Sequence, residues 1–334
     1  LESKHSPRIG VLGSGSWATA LVKIFSENSN CVNWYVRSEE KANHIRAFRH
    51  NPKYLASVSI DLDKVSLYQD LLDFVRSTDI LVVAIPAAFI HQTLDPISKQ
   101  ELENKWVISA VKGMIPEFHA IPARYFHKTL SVPYERIGLI CGPCHAEEIA
   151  LERLSYLTVG SENQEITSAL SQAMRSHYLR VNESDDLFGA ELSAILKNVY
   201  AIASGICSGL GYGDNFQAIL VSNAIQEISR FLDAVHPIPR DIHSSAYLGD
   251  LMVTCYSKFS RNRTFGYMIG KGYTLKSAQL ELGMVAEGYY AVASLVEINK
   301  KFQVELPILR AVYHILYDQK PATKTIESLT LELH

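Results

Sequence analysis

Lys197 and Asn198 are the conspicuous polar pair in LSAILKNVYAIA, an otherwise apolar stretch with helical periodicity. An amine in partly desolvated surroundings can exchange a proton with a developing alkoxide, which the reduction of a ketone by hydride requires. The ordinary alternative is a helical lysine that extends its charge to solvent. Two further stretches bear on the choice: LGDLMVTC, with Asp250 and Thr254, and SRNRTFG, with Ser260, Arg261 and Asn262. Hydroxyl, guanidinium and amide donors converging at a helix start or turn suit a small phosphate ester, against the plainer reading of a solvated basic turn. A source of hydride is suggested by Gly13-Ser14-Gly15-Ser16-Trp17-Ala18, a GxGxxA loop. Such a loop allows a tight turn at Gly13, backbone approach to a pyrophosphate at Gly15 and close helix–strand packing at Ala18.

These residues need elements to hold them. Residues 8–12 read as a short buried strand, residues 19–25 as a helix and residues 31–36 as a second strand, a β-α-β unit with the glycine loop at its first turn. Residues 79–85, 106–110 and 137–140 are further strands separated by helix-compatible sequence, so parallel strands with crossover helices are expected. From about Asp186 onward, long segments carry helical periodicity with few strand signals. The fold class expected is therefore α/β: a Rossmann domain with a mostly parallel sheet over residues 1–185, then an all-helical substrate and catalytic domain over 186–334. No repeat or long linker is visible, so the domains are expected to pack closely around a cleft.

The chain has 334 residues, 47% hydrophobic and 20% charged, enough for about two domains. A net charge of −3 and the lack of basic runs exclude the electrostatic footprint of a nucleic-acid or anionic-membrane binder. The longest apolar run, near residues 80–90, is broken by Pro86 and falls short of the ~20 residues a membrane span needs. No secretory signal is apparent in the first eight residues, and the five cysteines suit reduced thiols, so a cytoplasmic location is expected. After the second strand the sequence is Tyr35-Val36-Arg37-Ser38, with no carboxylate for a ribose hydroxyl. Arg37 there suits a 2′-phosphate and favours NADPH over NADH, against the alternative of a surface arginine.

The ordered motifs resemble the NAD(P)-dependent glycerol-3-phosphate dehydrogenases of bacterial type over nearly the whole length. They are GSGSWA, the VKG at 111–113, the GPxxAxE at 142–148, the LKNVYAIASG around Lys197, the GYGDN ending at Asn215, LGDL, SRNRTFG and the AEG at 286–288. The resemblance implies reversible exchange between dihydroxyacetone phosphate and sn-glycerol 3-phosphate, feeding phospholipid synthesis, with NADPH or NADH as cofactor. It implies Lys197 as proton donor and acceptor, Lys112 in contact with substrate and cofactor, and Asp250 and Thr254 close to Lys197. Ser260, Arg261 and Asn262 would hold the substrate phosphate, with Asn198, Gly142 and the residue at Cys144 beside the substrate. Gly13, Gly15, Ser16, Trp17 and Arg37 would lie along the cofactor, Ala146, Val285 and Glu287 on its nicotinamide side, and Arg261 would reach it too. No metal is implied, and a homodimer is expected.

Two positions depart from the family pattern. Cys144 replaces the usual Ser or Thr and offers only a weak S–H donor, and Asn223 stands where an arginine is common. Cys144 also completes Cys141-Gly142-Pro143-Cys144, which admits a thiol–disulfide reading, though Gly142 and Pro143 already belong to GPxxAxE. Zinc binding by Cys141, Cys144 and His145 lacks a second ligand pair. His91, His119, His127 and His145 are read as structural or exposed. A hydroxy-acid dehydrogenase would share both halves without needing SRNR, and a non-catalytic dinucleotide-binding regulator would not need Lys197, Asp250 and Arg261 together.

Overall fold

The computed structural model describes residues 7–29, 31–283 and 286–334; residues 1–6 and Val285 are outside them. Apolar runs covered on both faces form the sheet's centre: β1 (Ile9–Leu12), β4 (Ile80–Val83) and β6 (Ile137–Cys141) are buried throughout. In chain order the elements are β1, α1 (Ser16–Asn28), β2 (Val32–Tyr35), α2 (Glu39–Phe48), β3 (Val65–Tyr68), α3 (Leu71–Arg76) and β4. Then follow α4 (Ile90–Leu94), α5 (Lys99–Leu102), β5 (Trp106–Ser109), α6 (Pro122–Lys128), β6, α7 (Ala146–Ala150), β7 (Ser155–Gly160), α8 (Gln164–Met174) and β8 (Leu179–Ser184).

Among the described residues these strands make one eight-stranded sheet in the order β3-β2-β1-β4-β5-β6-β7-β8. All neighbours are parallel except β6 and β7, which pair antiparallel. The mostly parallel sheet agrees with the sequence reading, but β3, β7 and β8 were not among the strands expected. β3 and β8 are the sheet's edges and each buries only part of its side chains, so neither presents a continuous apolar run. The chain runs outward from β1 through β2 to β3, then returns to β4 on the other side of β1. That reversal is the topological switch point, outside whose strand C-termini open α/β sheets bind ligands.

Helices alone follow: α9 (Leu187–Leu210), α10 (Asp214–Val235), α11 (Asp250–Tyr256), α12 (Arg261–Gly270), α13 (Leu275–Leu282), α14 (Glu287–Phe302), α15 (Pro307–Leu316) and α16 (Ala322–Thr330). α9 is apolar nearly all round and buried along almost its whole length, the mark of a central helix rather than an amphipathic surface one. A π turn, Ser245–Gly249, runs directly into α11.

Two compact units result. One takes the chain to Ile85, then Phe89–Val111 and Pro122–Leu187; the other comprises Pro86–Ala88, Lys112–Ile121 and Phe188–His334. The last stretch of the first unit ends at Leu187. Two excursions after β4 and β5 nevertheless count with the helical unit, because the chain leaves the sheet at those strand ends.

Candidate active site

In the sheet unit the glycine loop joins β1 to α1 at the switch point. Gly13 has φ +130°, and a Cβ there would come within 2.4 Å of the Ala84 carbonyl oxygen, so both backbone and space call for glycine. Its own carbonyl accepts from Trp34 Nε1 at 2.7 Å, which fixes the turn from β2. Gly15 is the N-cap of α1, with no side-chain cap and open space where a Cβ would lie. α1 thus presents uncapped backbone donors and carries no acidic residue in its first turn. That arrangement fits the pyrophosphate of a dinucleotide. Ser16 is buried and Trp17 half-buried in the same turn, and Arg37 is exposed two residues beyond β2.

Sequence reasoning missed two residues behind this loop. Asn51, fully buried, donates from Nδ2 to Ser14 O at 3.2 Å and to Thr19 Oγ1 at 2.9 Å, while its Oδ1 accepts from Lys53 N and Tyr54 N. Lys41 donates from Nζ to Ser14 O at 3.2 Å and Ser14 Oγ at 3.1 Å. The sequence offers one clue to Lys41: it stands three residues after Ser38, whose hydroxyl caps α2 by accepting from Lys41 N.

The helical unit brings Lys197, Asp250 and Lys112 together. Lys197, on α9 and 3% exposed, donates from Nζ to Asp250 Oδ1, and Lys112 Nζ lies 3.8 Å from Asp250 Oδ2. Asp250 is the first residue of α11, placed there by the π turn before it. Burial pushes the Lys197 amine below the ordinary lysine range; the Asp250 charge pulls it back up, and the Lys112 ammonium adds to the depression. Thr254 Oγ1 donates to Asp250 O at 2.6 Å, and Asn198 Nδ2 donates to Lys112 O at 2.6 Å, so the neighbours of both charged pairs are fixed from α11 and α9.

Helix packing extends the group. A Cβ at Gly205 on α9 would meet Arg263 O at 2.0 Å, and one at Gly266 on α12 would meet Ile202 O at 2.1 Å, so α9 and α12 approach backbone to backbone. Ser260, the N-cap of α12, accepts from Arg263 N at 3.3 Å; Arg261 opens the helix and is exposed; Asn262 is buried and accepts from Gly288 N at 2.9 Å. Next to Gly288, Glu287 accepts from Ala87 N at 3.0 Å, and its Oε2 is buried without a hydrogen-bond partner. That oxygen would be 2.2 Å from a Cβ at Gly113, beside Lys112. Burial raises the Glu287 carboxyl to about 7, against the opposing pull of the Ala87 amide and Arg261. Of the residues expected to bind substrate, Gly142 and Cys144 follow β6 in the sheet unit, while Lys112, Lys197, Asn198, Asp250, Thr254, Ser260, Arg261 and Asn262 belong to the helical unit; Ala146, expected on the cofactor, starts α7 in the sheet unit.

The remaining candidates have local roles. His91 bonds Tyr125 OH, His119 bonds Ser294 Oγ, and His127 bonds Val132 O while stacking on Tyr134 with ring centroids 4.0 Å apart; His145 is the N-cap of α7. Cys141 and Cys144 are buried and form no disulfide, and Cys31 is exposed. Asn223 Nδ2 donates to His334 O at 2.8 Å and its Oδ1 accepts from His334 N, so the amide ties α10 to the end of the chain. No group of three or more His, Cys, Asp or Glu side chains placed to hold a metal occurs among the described residues, and no helix there is long and apolar enough to cross a membrane.

A mostly parallel sheet with a glycine loop at its switch point, joined to a helical unit that buries a lysine against an aspartate, defines an oxidoreductase of the Rossmann type. Residues 8–167 match the family described as NAD-dependent glycerol-3-phosphate dehydrogenase N-terminus, and residues 186–327 match NAD-dependent glycerol-3-phosphate dehydrogenase C-terminus. The chain belongs to this family. It is 31% identical over 323 residues to glycerol-3-phosphate dehydrogenase [NAD(P)+] of Staphylococcus haemolyticus, covering 96% of this chain and 97% of that one. It is 34% identical to the enzyme of the same name from Azotobacter vinelandii, covering 96% and 93%. A crystal structure of glycerol-3-phosphate dehydrogenase from Coxiella burnetii superposes with a TM-score of 0.90 at 26% identity, covering 97% of this chain and 99% of that one.

Proposed function

We propose that the chain interconverts dihydroxyacetone phosphate and sn-glycerol 3-phosphate with a nicotinamide dinucleotide, feeding glycerophospholipid synthesis. The observation that carries this reading is the buried Lys197–Asp250 pair with Lys112 beside it. When bound at the glycine loop, a reduced nicotinamide dinucleotide would supply the hydride that the carbonyl carbon receives. As the C–H bond forms, the carbonyl oxygen gains charge and Lys197 Nζ gives it a proton; in the oxidative direction the neutral amine takes the hydroxyl proton back. Asp250 holds the ammonium in place and keeps the depressed amine protonatable, and Lys112 adds positive charge where the alkoxide develops.

Arg261, with Ser260 and Asn262, takes the substrate phosphate, since guanidinium, hydroxyl and amide donors at the start of α12 match its oxygens. Gly142, Cys144, Asn198 and Thr254 complete the substrate contacts. Gly13, Gly15, Ser16, Trp17 and Arg37 serve the dinucleotide, with Ala146, Val285, Glu287, Lys112 and Arg261 toward its nicotinamide. Arg37 favours NADPH. We place the enzyme in the cytoplasm as a homodimer, a state that the exposed Ile219, Met252, Tyr256 and Phe259 of the helical unit would suit.

The test is oxidation of NADPH and NADH with dihydroxyacetone phosphate and unphosphorylated dihydroxyacetone in parallel. Turnover confined to the phosphate ester supports the assignment. No turnover with either ketone removes it and favours a hydroxy-acid substrate or a non-catalytic dinucleotide-binding role.

A further inference from the structure

The glycine loop is held from outside by Lys41, with Lys53 close by, two cations that the reaction above does not use. Lys41 caps Ser14 with two hydrogen bonds from one ammonium. The ring of Tyr54 carries two lysines, with Lys41 Nζ 5.5 Å and Lys53 Nζ 5.6 Å from its centroid. Asn51 fastens the turn bearing Lys53 and Tyr54 to the same Ser14. Arg37 immediately precedes Ser38, the residue that caps the helix turn bearing Lys41.

We propose that Lys41, together with Arg37 and Lys53, seats the 2′-phosphate of an NADP-type cofactor, so that Lys41 is a determinant of the choice between the two dinucleotides. This rests on the dinucleotide reading of the glycine loop given above and names the residue that would discriminate.

Three observations carry it. The segment following the second strand of such a fold is where the adenosine ribose is read, and Arg37 and Lys41 lie there, on either side of the α2 N-cap. Among the described residues no carboxylate pairs with Arg37, Lys41 or Lys53, whereas Lys23 is paired with both Glu27 and Glu152, and Arg8 with Asp79. Glu39 and Glu40, the acids nearest in sequence, are exposed on the first turn of α2. Finally, Lys41 is half-buried, and burial and the Lys53 charge both push its amine below the ordinary lysine range. A dianion arriving beside it would relieve that depression, and a ribose hydroxyl would not. The competing explanation is that Lys41 only pins the loop, in which case both cofactors would depend on it equally.

The two explanations separate in a titration that needs no turnover, so it stands apart from the dehydrogenase assay. Binding of adenosine 2′,5′-bisphosphate and of AMP is measured calorimetrically for the unaltered protein, Lys41→Met, Lys41→Arg and Lys53→Met. The unaltered protein should bind the bisphosphate at least about tenfold tighter than AMP, a difference of about 1.4 kcal/mol. Lys41→Met should cut that ratio to about twofold, Lys53→Met should lower it less, and Lys41→Arg should keep most of it. Equal weakening of both ligands in Lys41→Met, or an unchanged ratio, overturns the proposal.

Discussion

In the proposed reaction Lys197 would take its chemistry from being denied water while keeping a charged partner. Burial alone would leave a neutral amine that cannot donate; pairing alone would leave an ammonium too weakly acidic to release its proton. Asp250 and Lys112 pull its proton affinity in opposite directions, so each can be tested by the direction of a shift. Reduction needs the protonated amine, so kcat/KM for ketone reduction should fall as pH rises through the Lys197 pKa, at a pH below the ordinary lysine value of 10.5. Lys112→Met removes a charge that lowers that pKa and should move the falling limb to higher pH. Asp250→Asn removes one that raises it and should move the limb lower. A limb that shifts the wrong way in either variant, in a full pH–rate profile, would show that the fall belongs to another group. Lys197→Met should lower kcat by roughly 10²- to 10⁴-fold, the usual contribution of a positioned proton donor. Cofactor affinity, followed by fluorescence, should be retained; a comparable loss of dinucleotide binding would mark the lysine as structural.

The elements that gather these side chains depend on contacts that side-chain chemistry alone does not announce. α9 and α12 meet at Gly205 and Gly266, each facing a backbone carbonyl of the other helix at a distance no Cβ tolerates. Gly266→Ala should therefore push α12 away from α9 and carry Asn262 and Arg261 with it. Overpacking of this kind costs about 1–3 kcal/mol, and with backbone on both sides the upper part of that range is expected. Thermal melting together with the KM for dihydroxyacetone phosphate checks it, and a variant with unaltered Tm and KM would mean that the helices have slack. The same contacts show how far the sequence could be read. Long apolar periodicity made α9 and α10 plain, and the glycine loop was plain from its place after a buried run. The edge strands β3 and β8 were not, because half-buried strands carry little apolar signal. Nor was Lys41, since a lysine three residues after a helix cap looks like any other surface lysine until Ser14 is found against it. Lys197, Asp250 and Thr254 were legible as chemical types, and their proximity only through the family resemblance, since no periodicity reveals the π turn that precedes Asp250.

At the scale of the whole chain, a net charge of −3 says little about stability, because the ionisable groups that matter most to it are buried. Lys197 and Glu287 belong to the proposed site; Glu227, on α10, has a structural task. Its carboxylate accepts from Tyr200 OH at 3.2 Å and from the backbone N–H groups of Ile308 at 2.6 Å and Leu309 at 3.4 Å, so it ties α9 and α10 to the first turn of α15. Burial raises this carboxyl to about 7, outweighing the amides and the phenol that favour its charged form. The folded chain therefore keeps a proton on Glu227 at pH values where the unfolded chain, near 4.5, has lost it. Folded protein then binds more protons than unfolded, and this group's contribution to stability falls as pH rises from about 4.5 to about 7. Glu227→Gln keeps one acceptor oxygen and removes the titration. It should lower stability by a constant amount for the bonds it makes less well, but flatten the decline between pH 5 and pH 8 in the melting of the helical unit. Melting curves for the two proteins that stay parallel across that interval would show that Glu227 is ionised throughout, and that the amides of Ile308 and Leu309 outweigh its burial.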